Sequence, residues 1–138
     1  MIAEDIMTQD PMTADARMKV RDAIQILQTL EIRHLPVLNN DGTLLGMVSD
    51  RDLRSSEIPF TLSDRLGDRE KALLDQPITT VMSSDVVSVG PEAAVSELID
   101  LMLENKVGAL PIVEEETGDL LGIVSYVDVL RELRRTLD

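Results

Sequence analysis

Two short stretches of the chain carry a hydroxyl and a carboxylate at one spacing: Ser49 with Asp52 in "LLGMVSDRDL" (44–53), and Ser125 with Asp128 in "LLGIVSYVDV" (120–129). At a helix start such a pair closes a capping box, in which the serine side chain and the acid each satisfy a backbone N–H of the other residue. A second chemistry is open to the same atoms. Amides at a helix start seat a phosphate, with the serine hydroxyl as one more donor. An aspartate one turn in can accept the vicinal hydroxyls of a ribose, as acids do in dinucleotide-binding folds. Spacing alone does not choose, since "TLSD" (61–64) matches it with no glycine or strand in front. Context adds weight to the second chemistry. Gly46 and Gly122 interrupt strand-like runs just ahead of the two serines, and glycine there signals a bulge or the close approach of another backbone or a ligand.

Catalysis has little to work with. The chain has no cysteine, which removes thiol nucleophiles, disulfides and thiolate metal sites. His34 is the only histidine; it is either a partly exposed residue at a strand start or a phosphate contact, and one imidazole does not make a metal cluster. Neither G-x-x-x-x-G-K-[ST] nor G-x-G-x-x-G is present. The expectation is therefore a non-enzyme with no catalytic residues and no metal site. Glu114 to Glu116 read as a solvated hairpin tip, with Ca²⁺ binding the lesser alternative because their spacing fits no EF-hand loop. The seven methionines read as core filler, with Met7 and Met82 structural at matching positions.

Thirteen Lys and Arg stand against 26 Asp and Glu, a formal charge of −13, which repels nucleic acid and anionic membranes at long range. A small anion is not excluded, because a local Arg cluster can outweigh an acidic surface that salt screens beyond about 10 Å. Phe60 and Tyr126 are the only aromatics, so the core must be aliphatic and base-stacking platforms are lacking. No apolar run reaches the roughly 20 residues of a membrane span, and "MIAEDIMTQD" is acidic rather than signal-like. The expectation is a soluble, cytoplasmic protein without nucleic-acid or membrane partners.

The elements that must position these residues come in two copies. Met7, Asp10, Val20, Ile24 and Leu35-Pro36 recur 75 positions later as Met82, Asp85, Val95, Ile99 and Leu110-Pro111. After a one-residue insertion the offset is 76, pairing Leu44-Leu45-Gly46 with Leu120-Leu121-Gly122 and Asp52 with Asp128. The insertion falls between "NNDGT" and "EEETGD", at a hairpin turn, where an extra residue is tolerated. Each copy reads as a short extended segment ("PMTA", "VVSV"), an amphipathic helix, a hairpin and a second helix starting near Asp50 or Tyr126. The first helices carry Val20, Ala23, Ile24, Leu27 and Val95, Leu98, Ile99, Met102 at i, i+3, i+4, i+7. One such unit has too little core to stand alone. The predicted fold is α/β (α+β): two β-α-β-β-α repeats packed with pseudo-two-fold symmetry, over 1–54 and 78–138, joined by a linker at 55–77 with a short helix in "DREKALLD". On this reading the two repeats and the linker use up the chain, and no attached effector domain is expected.

These features resemble the CBS (cystathionine beta-synthase) domain, and nearly the whole chain resembles a tandem pair, a Bateman module. The likeness rests on "GMVSDRD" and "GIVSYVD", on "IRHLPVLNNDG" and "VGALPIVEEETG", and on "IMTQDPMTA" and "VMSSDVVSV". It implies a regulatory module that binds AMP, ADP, ATP or S-adenosylmethionine in clefts between the repeats, each cleft cross-built. Carried over, one site uses Ser49, Arg51 and Asp52 with Val86, Val87, Val107, Ala109 and Pro111. The other uses Ser125 and Asp128 with Pro11, Met12, Ile32, His34 and Pro36. Arg51 can pair with a phosphate where its counterpart Val127 cannot, so the Asp52 site is expected to prefer the more charged ligand. Arg33 and His34 are candidate compensators in the second cleft, and Lys106 in the first. Asp50 and Asp10 near the implied phosphate path argue against a polyphosphate or for a bridging Mg²⁺ with ATP; the sequence leaves both open. The resemblance also implies a homodimer and a separate regulated protein. The rival reading is a dimerisation or docking module with vestigial clefts.

Overall fold

A computed structural model describes residues 1–59 and 65–137; Phe60 and the third Ser/Thr-x-x-Asp match at 61–64 lie outside the described residues. In chain order the elements are α1 (Ala3–Ile6), β1 (Thr8–Gln9), β2 (Ala14–Asp15), α2 (Val20–Leu30), β3 (His34–Leu38), β4 (Leu44–Ser49), α3 (Asp50–Ser55), α4 (Asp68–Asp75), a 3-10 turn (Ile78–Thr80), α5 (Val95–Asn105), β5 (Ala109–Val113), β6 (Leu120–Ser125) and α6 (Tyr126–Thr136). The two β-α-β-β-α repeats are present. The first strand of the second copy is reduced to a parallel bridge from Val89 to Ile112, matching Ala14 with Val37 in the first.

The chain divides into two compact units that cut across the repeats. One holds Met12–Asp41 and Leu45–Asp85; the other holds Met1–Pro11, Gly42–Leu44 and Val86–Asp138. In the first unit the sheet order is β2-β3-β4. Its stripe of Val20, Ala23, Ile24 and Leu27 is buried against Leu35, Val37, Val48 and Leu53. Fully burying a Val, Ile or Leu side chain of this set contributes about 1.5–3 kcal/mol. The helix α4, over "DREKALLD", adds Leu74 to this core, and Arg21 reaches Asp75 at 2.7 Å across α2 and α4.

In the second unit the order is β1-β6-β5, over a core of Ala3, Leu98, Met102, Leu110, Ile112, Val124 and Val129. Val95 and Ile99 complete the predicted stripe of α5 but are only half-buried. Among the described residues no polar side chain is buried, so both cores are aliphatic, with Met47 and Met102 inside them.

The units cut across the repeats because the opening of each copy pairs with the last strand of the other. Thr8 pairs antiparallel with Ile123, and Ser83, its counterpart, pairs with Met47. The same exchange recurs at the helix starts: Ile2 bridges Ala94, and Pro77 bridges Lys19. This resolves the two odd glycines. A Cβ on Gly46 would stand 2.7 Å from the Ser83 carbonyl oxygen, and one on Gly122 would stand 2.7 Å from that of Thr8. The neighbour that demands glycine is another backbone. Met82 and Met7 lie against the same two positions, so both are structural.

Candidate functional site

Each repeat ends its hairpin in a serine held extended, Ser49 at φ −123° and Ser125 at φ −101°, and the helix begins at the next residue. Both capping boxes close. Ser49 donates its N–H (2.9 Å) and its hydroxyl (3.0 Å) to Oδ2 of Asp52, whose own N–H returns to Ser49 Oγ at 3.1 Å. Ser125 and Asp128 repeat this at 2.8, 3.1 and 3.3 Å. The structural chemistry is thus in place, and it occupies one oxygen of each carboxylate.

The remaining oxygens differ. Oδ1 of Asp52 accepts a 2.7 Å hydrogen bond from the Ser83 hydroxyl. Oδ1 of Asp128 lies 3.6 Å from Nη1 of Arg131, whose side chain is 67% exposed. Ser83 was missed in the sequence, although a signal existed: the two openings carry a hydroxyl at matching positions, Thr8 in "IMTQD" and Ser83 in "VMSSD".

The expectation of free amides at the helix starts needs correction. The Asp50 N–H donates to the carbonyl of Arg33 at 3.2 Å, and that of Tyr126 to Gly108 at 2.9 Å. With the N–H groups of Asp52 and Asp128 also engaged, the chain has filled most of the phosphate seat with its own acceptors.

The other predicted residues divide between the units. Ser49, Arg51 and Asp52 share the first unit with Met12, Ile32, Arg33, His34 and Pro36; Ser125 and Asp128 share the second with Pro11, Val86, Val87, Val107, Ala109 and Pro111. Pro36, Ala109 and Pro111 are buried, whereas Met12, Arg33, Arg51 and Val107 are exposed. In the second unit Ala109 stands opposite Ser125 in the β5–β6 ladder, and the Val89 N–H donates to the carbonyl of Pro111. Lys106 caps the end of α5 in left-handed conformation, φ 54°.

His34 is half-buried. Burial holds its pKa below the ordinary 6.5; Asp50 and Asp52 pull it up, and Arg33 adds to the lowering. Burial thus favours the neutral imidazole in the chain without ligand. A hollow of about 350 Å³ in the first unit has Ile24, Leu27, Ile32 and Leu53 on its walls and Gln28, Glu31, Arg33, Asp50 and Arg54 around them. It takes in Ile32 and Arg33 of the predicted set but not Ser49 or Asp52. Among the described residues no group of three or more His, Asp or Glu is arranged to hold a metal ion, and no helix is long and apolar enough to cross a membrane.

Comparison with known proteins agrees with this geometry. The family model for the CBS domain matches residues 3–57 and 78–135. An inosine-5'-monophosphate dehydrogenase of Methanocaldococcus jannaschii is 31% identical over 129 residues, which are 94% of this chain but 23% of that enzyme. A CBS domain-containing protein of Dictyostelium discoideum is 30% identical over 139 residues, covering 100% of this chain and 94% of the relative. Among solved structures, CBSX2 in complex with AMP has a TM-score of 0.81 at 25% identity, with 98% of this chain and 97% of that one covered. A CBS domain pair in complex with methylthioadenosine and S-adenosyl-L-methionine has a TM-score of 0.82 at 20% identity, covering 99% and 98%. With twin capping boxes, exchanged openings and two family matches in one order, the chain belongs to the CBS domain family as a tandem pair.

Proposed function

We propose that the chain is a non-catalytic regulatory module that binds an adenosine-containing ligand such as AMP, ADP, ATP or S-adenosylmethionine. In this reading Asp52 and Asp128 receive ribose hydroxyls, and Arg51, Arg33 and Lys106 supply charge near a phosphate. The observation that carries it is the division of labour in both carboxylates: Oδ2 closes the capping box, while Oδ1 points elsewhere. A capping box alone needs only one oxygen. The complexes of the related pairs with AMP and with S-adenosyl-L-methionine support the ligand class. The match to an enzyme over 23% of that enzyme's length supports a regulatory rather than a catalytic part. Mg²⁺, if ATP is the ligand, would arrive with the polyphosphate. The rest of the reading is a cytoplasmic homodimer acting on a separate regulated protein.

Binding changes shape or association only through a difference in affinity between two states, with a tenfold difference worth about 1.4 kcal/mol. The test is thermal unfolding with millimolar AMP, ATP or S-adenosylmethionine. A ligand at 100 times its Kd adds about 2.7 kcal/mol. Coincident curves with and without every ligand would sink the proposal.

One observation favours a second reading, a docking or dimerisation module. Tyr126, Leu130 and Leu133 form an exposed apolar stripe along α6 at i, i+4, i+7, with Leu130 58% exposed. Self-association with no ligand response would decide for it.

A further inference from the structure

We infer that Ser83 makes the two carboxylates unequal ribose acceptors, so that the chain distinguishes ribose from 2'-deoxyribose at Asp128 and much less at Asp52. This rests on the adenosine-binding reading above and adds a specificity-determining residue to it. An ionised carboxylate offers about four acceptor positions, two on each oxygen. In Asp52 three are taken: Oδ2 receives the N–H and hydroxyl of Ser49, and Oδ1 receives the Ser83 hydroxyl at 2.7 Å. One position is left, and a ribose diol brings two donors. In Asp128 only the two on Oδ2 are taken. The 3.6 Å separation between Oδ1 and Arg131 is an ion-pair contact, too long for a hydrogen bond. Both positions on Oδ1 can therefore receive a diol once the exposed arginine swings aside.

Ser83 is not a casual neighbour of Asp52. Its N–H donates to the Met47 carbonyl at 2.8 Å, and its carbonyl accepts from the Met47 N–H at 3.0 Å, so the exchanged opening fixes the residue beside β4. Thr8 has the same backbone placement against Ile123 in the other unit. Among the described residues no hydroxyl reaches Oδ1 of Asp128. The asymmetry lies in the side chains, in a place where the two backbones agree.

The experiment titrates the 15.3 kDa chain with AMP and with 2'-deoxy-AMP, following the amide NMR signals of Ser49 and Asp52 separately from those of Ser125 and Asp128. Both sites are then read in one intact protein. A charge-assisted hydrogen bond lost at Asp128 should weaken 2'-deoxy-AMP there about tenfold or more. At Asp52 the expected ratio is about twofold, rising toward about tenfold in Ser83→Ala, while Thr8→Ala leaves the Asp128 ratio unchanged. Equal ratios at both sites in the wild type, or a Ser83→Ala protein that binds AMP less well at Asp52 with its ratio unmoved, overturn the inference. A wild-type protein that binds neither nucleotide at any signal overturns the adenosine reading itself, and this inference with it. Ser83 is exposed, and unchanged spectra elsewhere verify that the variant keeps its fold.

Discussion

Gly46 faces the carbonyl oxygen of Ser83 so closely that an added methyl group would stand 2.7 Å from it and 2.8 Å from the sulfur of Met82. Gly122 stands in the same relation to Thr8 and Met7. Gly46→Ala and Gly122→Ala must each push a paired backbone away, which costs about 1–3 kcal/mol. Urea denaturation measures this, and a loss below half a kilocalorie in both would show that the exchanged openings are loosely held.

His34 gives the chain a stability that depends on pH. Its folded pKa lies below 6.5 because burial penalises the charged ring, so the unfolded chain binds the extra proton first as pH falls. Stability is fully present above 6.5 and declines as pH drops from 6.5 toward the depressed folded value. Urea midpoints at pH 7.5 and 5.5 should fall further for wild type than for His34→Gln. Equal falls would mean that the ring is solvated.

Leu35 and Leu110 are repeat equivalents, each 0% exposed and each central to one of the two cores. Leu35→Ala and Leu110→Ala leave cavities in close-packed interiors, at a cost of about 2–5 kcal/mol each. Calorimetry on the two variants checks both cores independently.

Glu31 and Lys106 end α2 and α5 in left-handed backbone, both at φ 54°, a conformation that favours glycine. Relieving that strain outweighs the added freedom of the unfolded chain, so Glu31→Gly and Lys106→Gly should each stabilise by about 0.5–1 kcal/mol. A lowered melting temperature for both would mean that their side chains hold more than the backbone loses.

If the α6 stripe is a dimer contact, Leu130→Glu and Leu133→Glu should abolish self-association while changing monomer stability by about 0.5 kcal/mol or less, since both side chains are exposed. Sedimentation velocity gives the answer. A wild type that sediments as a monomer at tens of micromolar removes the dimer from the proposal.

Much of the fold was legible because its signals are local. The spacing of Val20, Ala23, Ile24 and Leu27 fixes a helix face, and Ser49 and Ser125 mark helix starts within one residue of where Asp50 and Tyr126 begin them. The resemblance supplied the family. What stayed hidden is non-local. A repeat alignment says that Thr8 and Ser83 are equivalent, but not which last strand each pairs with, since either copy's hairpin would satisfy the same pattern. Hence Gly46 and Gly122 could be read as sites of close approach without naming the approaching backbone, and Ser83 went unnoticed beside Asp52. The phosphate seat was overestimated for a related reason: the carbonyls of Arg33 and Gly108, distant in sequence from the helices they serve, had already taken the first amides.

The exchange of openings also sets how far along the sequence each unit must reach to close. Apart from the three hairpin residues Gly42–Leu44, the unit from Met12 to Asp85 is drawn from one continuous run, so its loops are shorter to close than the one that brings the opening of the other unit to β6. Residues 1–11 find their partners far along the sequence, Ile2 at Ala94 and Thr8 at Ile123 in β6, the latter more than a hundred residues on. Removing residues 1–11 would therefore leave their immediate successors intact and instead strip a partner from β6, exposing an unpaired strand edge more than a hundred residues away.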